Sequence, residues 1–378
     1  MRVVFKKCFI IGLVLLLHQN LVLATTATSK PTAIQLINGL PYVEVMINGK
    51  GPYLFGFDTG FGAELELDAE LAKELNIVVS GQTTVGDGSG VNEITLNTAN
   101  INNIEIGDYL RSNCTAVLRT NARKNVSGME NVKGIIGIGL FTKHKIVIDY
   151  PKLQFSVESE DLPNANHEYI FDYEEVGGGV PQIKLTVGSF SLNAVIDSRS
   201  MSGEFKIPTE IAEKLTFLTT PKLIGKGRTI SNTIDINEVK IKEEIAIGQL
   251  IFIEPTITYP SLNENAIIGS KVLQKFSIAI DTKNKRIQFT KGIEPKKNEQ
   301  LLEYTGKYGD RTLTVVGDFL YIQRPNGAVL KMIQKNKDEF TLEIVPNAIL
   351  LFERDATNQI KSIKVSKGDG KWETADKN

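Results

Sequence analysis

An internal repeat constrains this chain more than any other feature. Leu40-Pro41-Tyr42-Val43-Glu44-Val45-Met46-Ile47 alternates as a strand does. Asn48-Gly49-Lys50-Gly51 marks a turn, and Pro52 to Phe57 returns as a second strand ending on Asp58. Val180-Pro181-Gln182-Ile183-Lys184-Leu185-Thr186-Val187, the turn Gly188-Ser189 and Leu192 to Ile196 follow the same plan and end on Asp197. Asp58 follows Pro41 by 17 positions and Asp197 follows Pro181 by 16, so the two hairpins are nearly equal in length. Each aspartate precedes a short helical pattern, Ala69 to Leu75 behind Asp68 as N-cap, and Thr209 to Leu215. Each half then reaches an Ile-Ile-Gly run, Ile135-Ile136-Gly137 and Ile267-Ile268-Gly269. The interval from Gly137 to Asp149 and from Gly269 to Asp281 is 12 positions in both halves. These landmarks in one order define two copies of a β-rich lobe, 33–157 and 169–292, joined by the acidic, loop-like stretch Glu158 to Glu168.

A third unit follows over 300–366. Short apolar runs alternate with turn signals such as Pro325-Asn326-Gly327, which predicts a β meander or small barrel. Gly368 to Asn378 reads as a polar tail, and Trp372 within it carries no assigned role. The predicted fold is therefore mainly β throughout.

The first 24 residues read differently. Arg2, Lys6 and Lys7 precede the apolar run Phe9 to Leu17, and Val22 and Ala24 offer small residues before a cut at Thr25. This is the pattern of a signal peptide, 1–24, on a chain exported to a periplasmic or secreted location. The run is short for a bilayer span, so no membrane span is expected once it is removed. Removal of the signal also removes Cys8 and leaves Cys114 as the one cysteine, which excludes an internal disulfide. Asn113-Cys114-Thr115 and Asn125-Val126-Ser127 have the form of glycan acceptors. His144 and His167 stand far apart without cysteine partners, so neither a zinc site nor any other metal or cofactor is expected. Net charge is -1, with Lys and Glu interspersed and no basic stripe, which argues against nucleic acid.

The chemistry concentrates where the apolar strands end. Phe55-Gly56-Phe57-Asp58-Thr59-Gly60-Phe61-Gly62-Ala63 carries a carboxylate to the edge of a core. Thr59 supplies a hydroxyl that can hold neighbouring backbone, and Gly60 permits close approach. Two aspartates brought together share a proton, because both cannot ionise at short range. Gly134-Ile135-Ile136-Gly137-Ile138-Gly139 lacks the Lys-Ser/Thr of a phosphate loop, and no histidine sits in a serine-elbow context.

Hairpin, Asp-Thr-Gly, short helix, glycine-rich loop and Ile-Ile-Gly-Ile-Gly together resemble the bacterial two-lobed aspartyl protease family, related to retropepsins and pepsins. The resemblance covers roughly 33–292 and implies two pepsin/retropepsin-like β-barrel lobes arising by duplication. It implies Asp58 and Asp197 as catalytic residues, supported by Thr59, Gly60 and Ser198. Ile136 and Gly137, and Ile268 and Gly269, would pack beneath the two aspartates. Gly86, Asp87, Gly88, Ser89 and Gly90 would form a flap over an extended peptide or protein substrate. The chain would work as a monomer. The second lobe departs from the pattern, with Asp197-Ser198-Arg199 where Asp-Thr/Ser-Gly is expected. Arg199 beside the dyad keeps open an alternative, a catalytically inactive peptide-binding pseudoprotease. A pairing of two first lobes from separate chains, as in single-lobe retropepsins, is a third reading. The last unit resembles the small β module attached to beta-lactamase-related proteins, through Tyr304-Thr305-Gly306-Lys307-Tyr308 and Phe352-Glu353-Arg354-Asp355-Ala356.

Overall fold

The computed structural model describes residues 30–86, 93–119, 129–200, 204–228, 233–260, 265–291, 299–316, 319–325, 327, 329–343 and 345–378. The signal-like segment, Asn125-Val126-Ser127 and the expected flap residues Asp87, Gly88, Ser89 and Gly90 lie outside the described residues. The chain is mainly β, as predicted, with barrel-like sheets and a further β unit.

In the first half, Leu40–Ile47 buries most of its side chains and turns through Asn48 and Gly49, both at positive φ. That backbone suits Asn-Gly and closes a tight hairpin. Lys50–Asp58 returns antiparallel and then runs parallel to Val132–Gly137, pairing Phe57 with Ile136 and Asp58 with Gly137. Leu65–Asp68 covers the other side of Val132–Gly137, with Leu65 opposite Ile136. A parallel strand flanked on both sides needs apolar residues on both faces. Phe55, Phe57, Ile135 and Ile136 meet that demand and are buried.

The second half repeats the plan. Phe190–Ile196 runs parallel to Ala266–Ile268, pairing Ile196 with Ile268, and the Asp197 N–H donates to the Ile268 carbonyl at 3.1 Å. Phe205–Lys206 flanks Ala266–Ile268 as Leu65–Asp68 flanks its counterpart. The helices differ. Ala69–Glu74 begins at Asp68, whose carboxylate accepts from the Glu70 N–H at 3.3 Å. The second helix covers only Thr209–Ala212, shorter than the predicted Thr209 to Leu215. Pro208 offers no side-chain cap, and the Lys214 and Leu215 N–H groups reach back three residues, to Ile211 and Ala212, so the turn tightens and ends.

The halves also share a sheet. Its strand order is Thr32–Ala33, Gln154–Glu158, Lys145–Asp149, Phe276–Asp281, Arg286–Lys291, Ile170–Asp172. Lys145–Asp149 and Phe276–Asp281 pair antiparallel across five residues at its centre, with Val147 opposite Ala279. Three strands come from each half, and a single hydrophobic cluster runs through both. The last unit is an eight-stranded meander from Gly306–Tyr308 to Glu373–Asp376, with its own core around Tyr304, Tyr308, Phe340 and Phe352. The expected polar tail is thus partly a strand. Glu373–Asp376 pairs with Ile360–Ser366, and the Asn378 N–H donates to the Lys307 carbonyl. Backbone pairing needs no apolar run, so an exposed edge strand leaves little hydrophobic signal. The unit touches the first half through the Val329 N–H on the Leu36 carbonyl, 2.9 Å, and through Tyr321 in the large cluster.

Candidate active site

Both parallel pairs deliver an aspartate to one place. Asp58 closes Lys50–Asp58, and Asp197 follows Phe190–Ile196 directly. Each carboxylate accepts from the N–H two residues on. Gly60 donates to Asp58 Oδ1 at 2.9 Å and Arg199 donates to Asp197 Oδ1 at 2.8 Å. Neither Gly60 nor Arg199 has positive φ. Backbone conformation therefore does not demand glycine at either position, and Arg199 reproduces the turn that Gly60 makes.

The residues between lock the halves together. The Thr59 N–H donates to Ser198 Oγ at 3.0 Å, and the Ser198 N–H donates to Thr59 Oγ1 at 3.0 Å. Thr59 Oγ1 donates to the Ile196 carbonyl at 2.7 Å, and Ser198 Oγ donates to the Phe57 carbonyl at 2.9 Å. Both side chains are fully buried. Serine does here what threonine does opposite, because the bonds use only the hydroxyl. Gly60 finishes the approach. A Cβ on it would stand 2.9 Å from Asp197 Cγ, closer than real Cβ contacts come. The space that a side chain would take is filled by the other aspartate.

Burial, then the Asp197 charge, pushes the Asp58 carboxyl up to about 7, against a pull downward from Arg199 and the Gly60 N–H. Burial also raises Asp197, against the Arg199 N–H and the charges of Lys206 and Arg199. Glu66 adds a further negative charge near Asp58 and is itself paired with Arg119 at 3.1 Å. A pair in this setting holds a proton at pH values where a free carboxylate has lost it.

Ile136 and Gly137, and Ile268 and Gly269, lie under the two loops. Asp58 pairs with Gly137, while the Asp197 N–H bonds to Ile268 and the Gly269 N–H to the Glu204 carbonyl. Gly86 ends Val79–Gly86, paired with Glu93 across a long hairpin; the remaining expected flap residues are outside the described chain. Among the described residues no cluster of three or more His, Cys, Asp or Glu could hold a metal. A cavity of about 520 Å³ lies away from the dyad, between the first half and the last unit, lined by Glu44, Leu153, Phe319, Tyr321 and Glu343 among others.

Three neighbours escaped the sequence reading. Tyr42 and Gly56 form one cross-strand pair and lie against the Arg199 guanidinium. Tyr150, buried beside Ser198, has its hydroxyl pushed far above the usual phenol range, first by burial and then by Asp197 and Asp58. A signal was present for the tyrosines. Tyr42 follows Pro41 where Gln182 follows Pro181, and Tyr150 follows Asp149 where Thr282 follows Asp281.

Residues 43–140 match the family model described as aspartyl protease. The matched span runs from the first hairpin through Asp58-Thr59-Gly60 to the end of the Ile-Ile-Gly-Ile-Gly run. This similarity supports a peptidase with a peptide substrate in general terms. Comparison with curated proteins gives no match. Asp197 lies beyond the matched span, so its place in the site rests on the geometry above.

Proposed function

We propose that the chain is an exported, monomeric aspartic endopeptidase in which Asp58 and Asp197 activate one water against a peptide bond. The observation that supports this reading is the reciprocal bonding of Thr59 and Ser198, with the Asp197 carboxyl lying against Gly60, whose N–H donates to Asp58. With one proton between them, the ionised carboxyl takes a proton from water as its oxygen attacks the carbonyl carbon. The protonated carboxyl gives its proton to the carbonyl oxygen. Collapse of the resulting diol, with proton transfer to the amine, releases both products. The two lobes arose by duplication, and the last unit is an accessory module without catalytic groups of its own.

Arg199 favours a second reading, a peptide-binding pseudoprotease, because a cation near the dyad works against a shared proton. One experiment separates the two. The chain without residues 1–24 is incubated with a diverse peptide mixture from acid to neutral pH, beside Asp58→Asn and Asp197→Asn. Cleavage lost in both variants supports the two-lobe dyad. Loss in Asp58→Asn alone points to two chains pairing through their first lobes. Folded protein that cleaves nothing at any pH overturns the enzyme.

A further inference from the structure

Arg199 does not hang beside the carboxylates as a stray charge. Its Nη2 donates to the Tyr42 hydroxyl at 3.1 Å, and its guanidinium carbon lies 4.8 Å from the centre of the Tyr42 ring. Tyr42 is fully buried and belongs to the opposite half of the chain. Beneath the guanidinium lies Gly56, the cross-strand partner of Tyr42. A Cβ on Gly56 would collide with Nη1 and stand 2.7 Å from Cζ, so the absence of a side chain there makes the space that the guanidinium fills. Gly56 lies in extended strand pairing and has no positive φ, so conformation does not require glycine. The Arg199 Nη1 is buried without a hydrogen bond, packed on the slot rather than turned to solvent.

We propose that Arg199 is a positioning residue: its guanidinium plugs a slot in the first lobe, floored by Gly56 and walled by Tyr42, and so fixes the Asp197 loop against Asp58. This rests on the dyad reading. A flat, delocalised cation suits the seat, since it stacks on an aromatic face and donates at its edge together. The seat for the Arg199 side chain lies in the other lobe, where Tyr42 stands opposite Gly56. Directly beside Arg199, the Thr59–Ser198 bonds hold the backbone, and the plug holds the side-chain end of the same loop.

The test is a double-mutant cycle on the mature chain, with Gly56→Ala, Arg199→Gly and the pair together. Two readouts are taken: cleavage kinetics on a peptide identified in the digest, and titration of the ¹³C-labelled aspartate carboxyls by NMR. Gly56→Ala is expected to lower kcat about tenfold with KM little changed, and to shift the dyad titration. In the Arg199→Gly background the same substitution is expected to change kcat less than about twofold, because the slot is empty. Arg199→Lys should resemble Arg199→Gly, since an ammonium on a flexible stem cannot stack and donate in the same seat. Equal cost of Gly56→Ala in both backgrounds overturns the proposal. Should Gly56→Ala fail to fold, Tyr42→Phe takes its place, and its loss of the hydroxyl must matter only while Arg199 is present. A wild-type chain that cleaves nothing sinks the enzyme reading, yet the carboxyl titrations still decide whether Gly56 and Arg199 are coupled.

Discussion

Thr59 and Ser198 stand 139 residues apart in the chain and exchange four hydrogen bonds, two between themselves and two to backbone carbonyls of the opposite half. Ser198→Ala removes one donor and one acceptor at once. It leaves the Phe57 carbonyl and the Thr59 N–H unpaired in a buried setting, and each costs about 1–3 kcal/mol. Urea unfolding should show a loss of about 3 kcal/mol, and Ser198→Thr should recover most of it. A loss below the error of the measurement would show that the exchange contributes nothing to holding the halves.

The titration of Asp58 has a sign that folding must follow. Its carboxyl rises from 3.8 to about 7, chiefly through burial and then through the charge of Asp197. Between those values the native chain holds a proton that the unfolded chain has released. The native state is therefore least disfavoured below about pH 4 and loses stability as pH rises towards 7. Asp58→Asn removes that slope. Thermal unfolding across a pH series should find the variant more stable than wild type at pH 8 and nearly equal at pH 4. The same titration sets the upper edge of activity, which should fall as pH climbs through about 7.

Gly60 tests the spacing of the carboxylates without removing either one. Alanine there would place a methyl 2.9 Å from Asp197 Cγ, and the loops must part by several tenths of an ångström or more. Chemistry that depends on placement loses about a hundredfold for a displacement near 1 Å. Gly60→Ala is expected to cost about that in kcat while the chain remains folded by circular dichroism. Full activity in this variant would mean that the two loops are not in contact during turnover.

In the last unit, Arg354 joins Asp338 at 2.6 and 2.8 Å, Glu303 at 2.8 Å and the Asn358 carbonyl at 2.8 Å, largely out of solvent. Arg354 holds the Asp338 carboxyl below its usual range, so this contribution is present above about pH 4 and fades as pH falls further. Arg354→Ala should destabilise the unit by about 1–3 kcal/mol, chiefly because it strands the partly buried Asp338 carboxylate. Hydrogen exchange should place the loss in strands 306–376 and leave Asp58 and Asp197 untouched.

The two hairpins and the Ile-Ile-Gly runs were legible because buried strands are apolar and end where a charge begins, whereas the approach of the two halves at the aspartates was implied only by the resemblance. Phe55, Phe57, Ile136, Ile196 and Ile268 write that pattern openly. The Arg199 slot was not legible in the same way. Gly56 read as one more glycine before the aspartate, and only coordinates show that a guanidinium from residue 199 fills the room above it. Tyr42 and Tyr150 sit at alternating or turn positions where a core tyrosine is commonplace, so their neighbours give them meaning. Glu373–Asp376 was hidden for a different reason. An exposed edge strand is held by backbone bonds, and its side chains need not be apolar.

The strands Lys145–Asp149 and Phe276–Asp281 run side by side at the centre of one sheet and belong to different halves. A chain built on such a floor cannot open like a jaw, because rotation of one half away from the other would tear a ladder of main-chain bonds in the middle of a sheet. A cut in the connecting stretch 159–168 would then leave two fragments still stitched into one body, and the reacting groups would remain where the intact chain puts them.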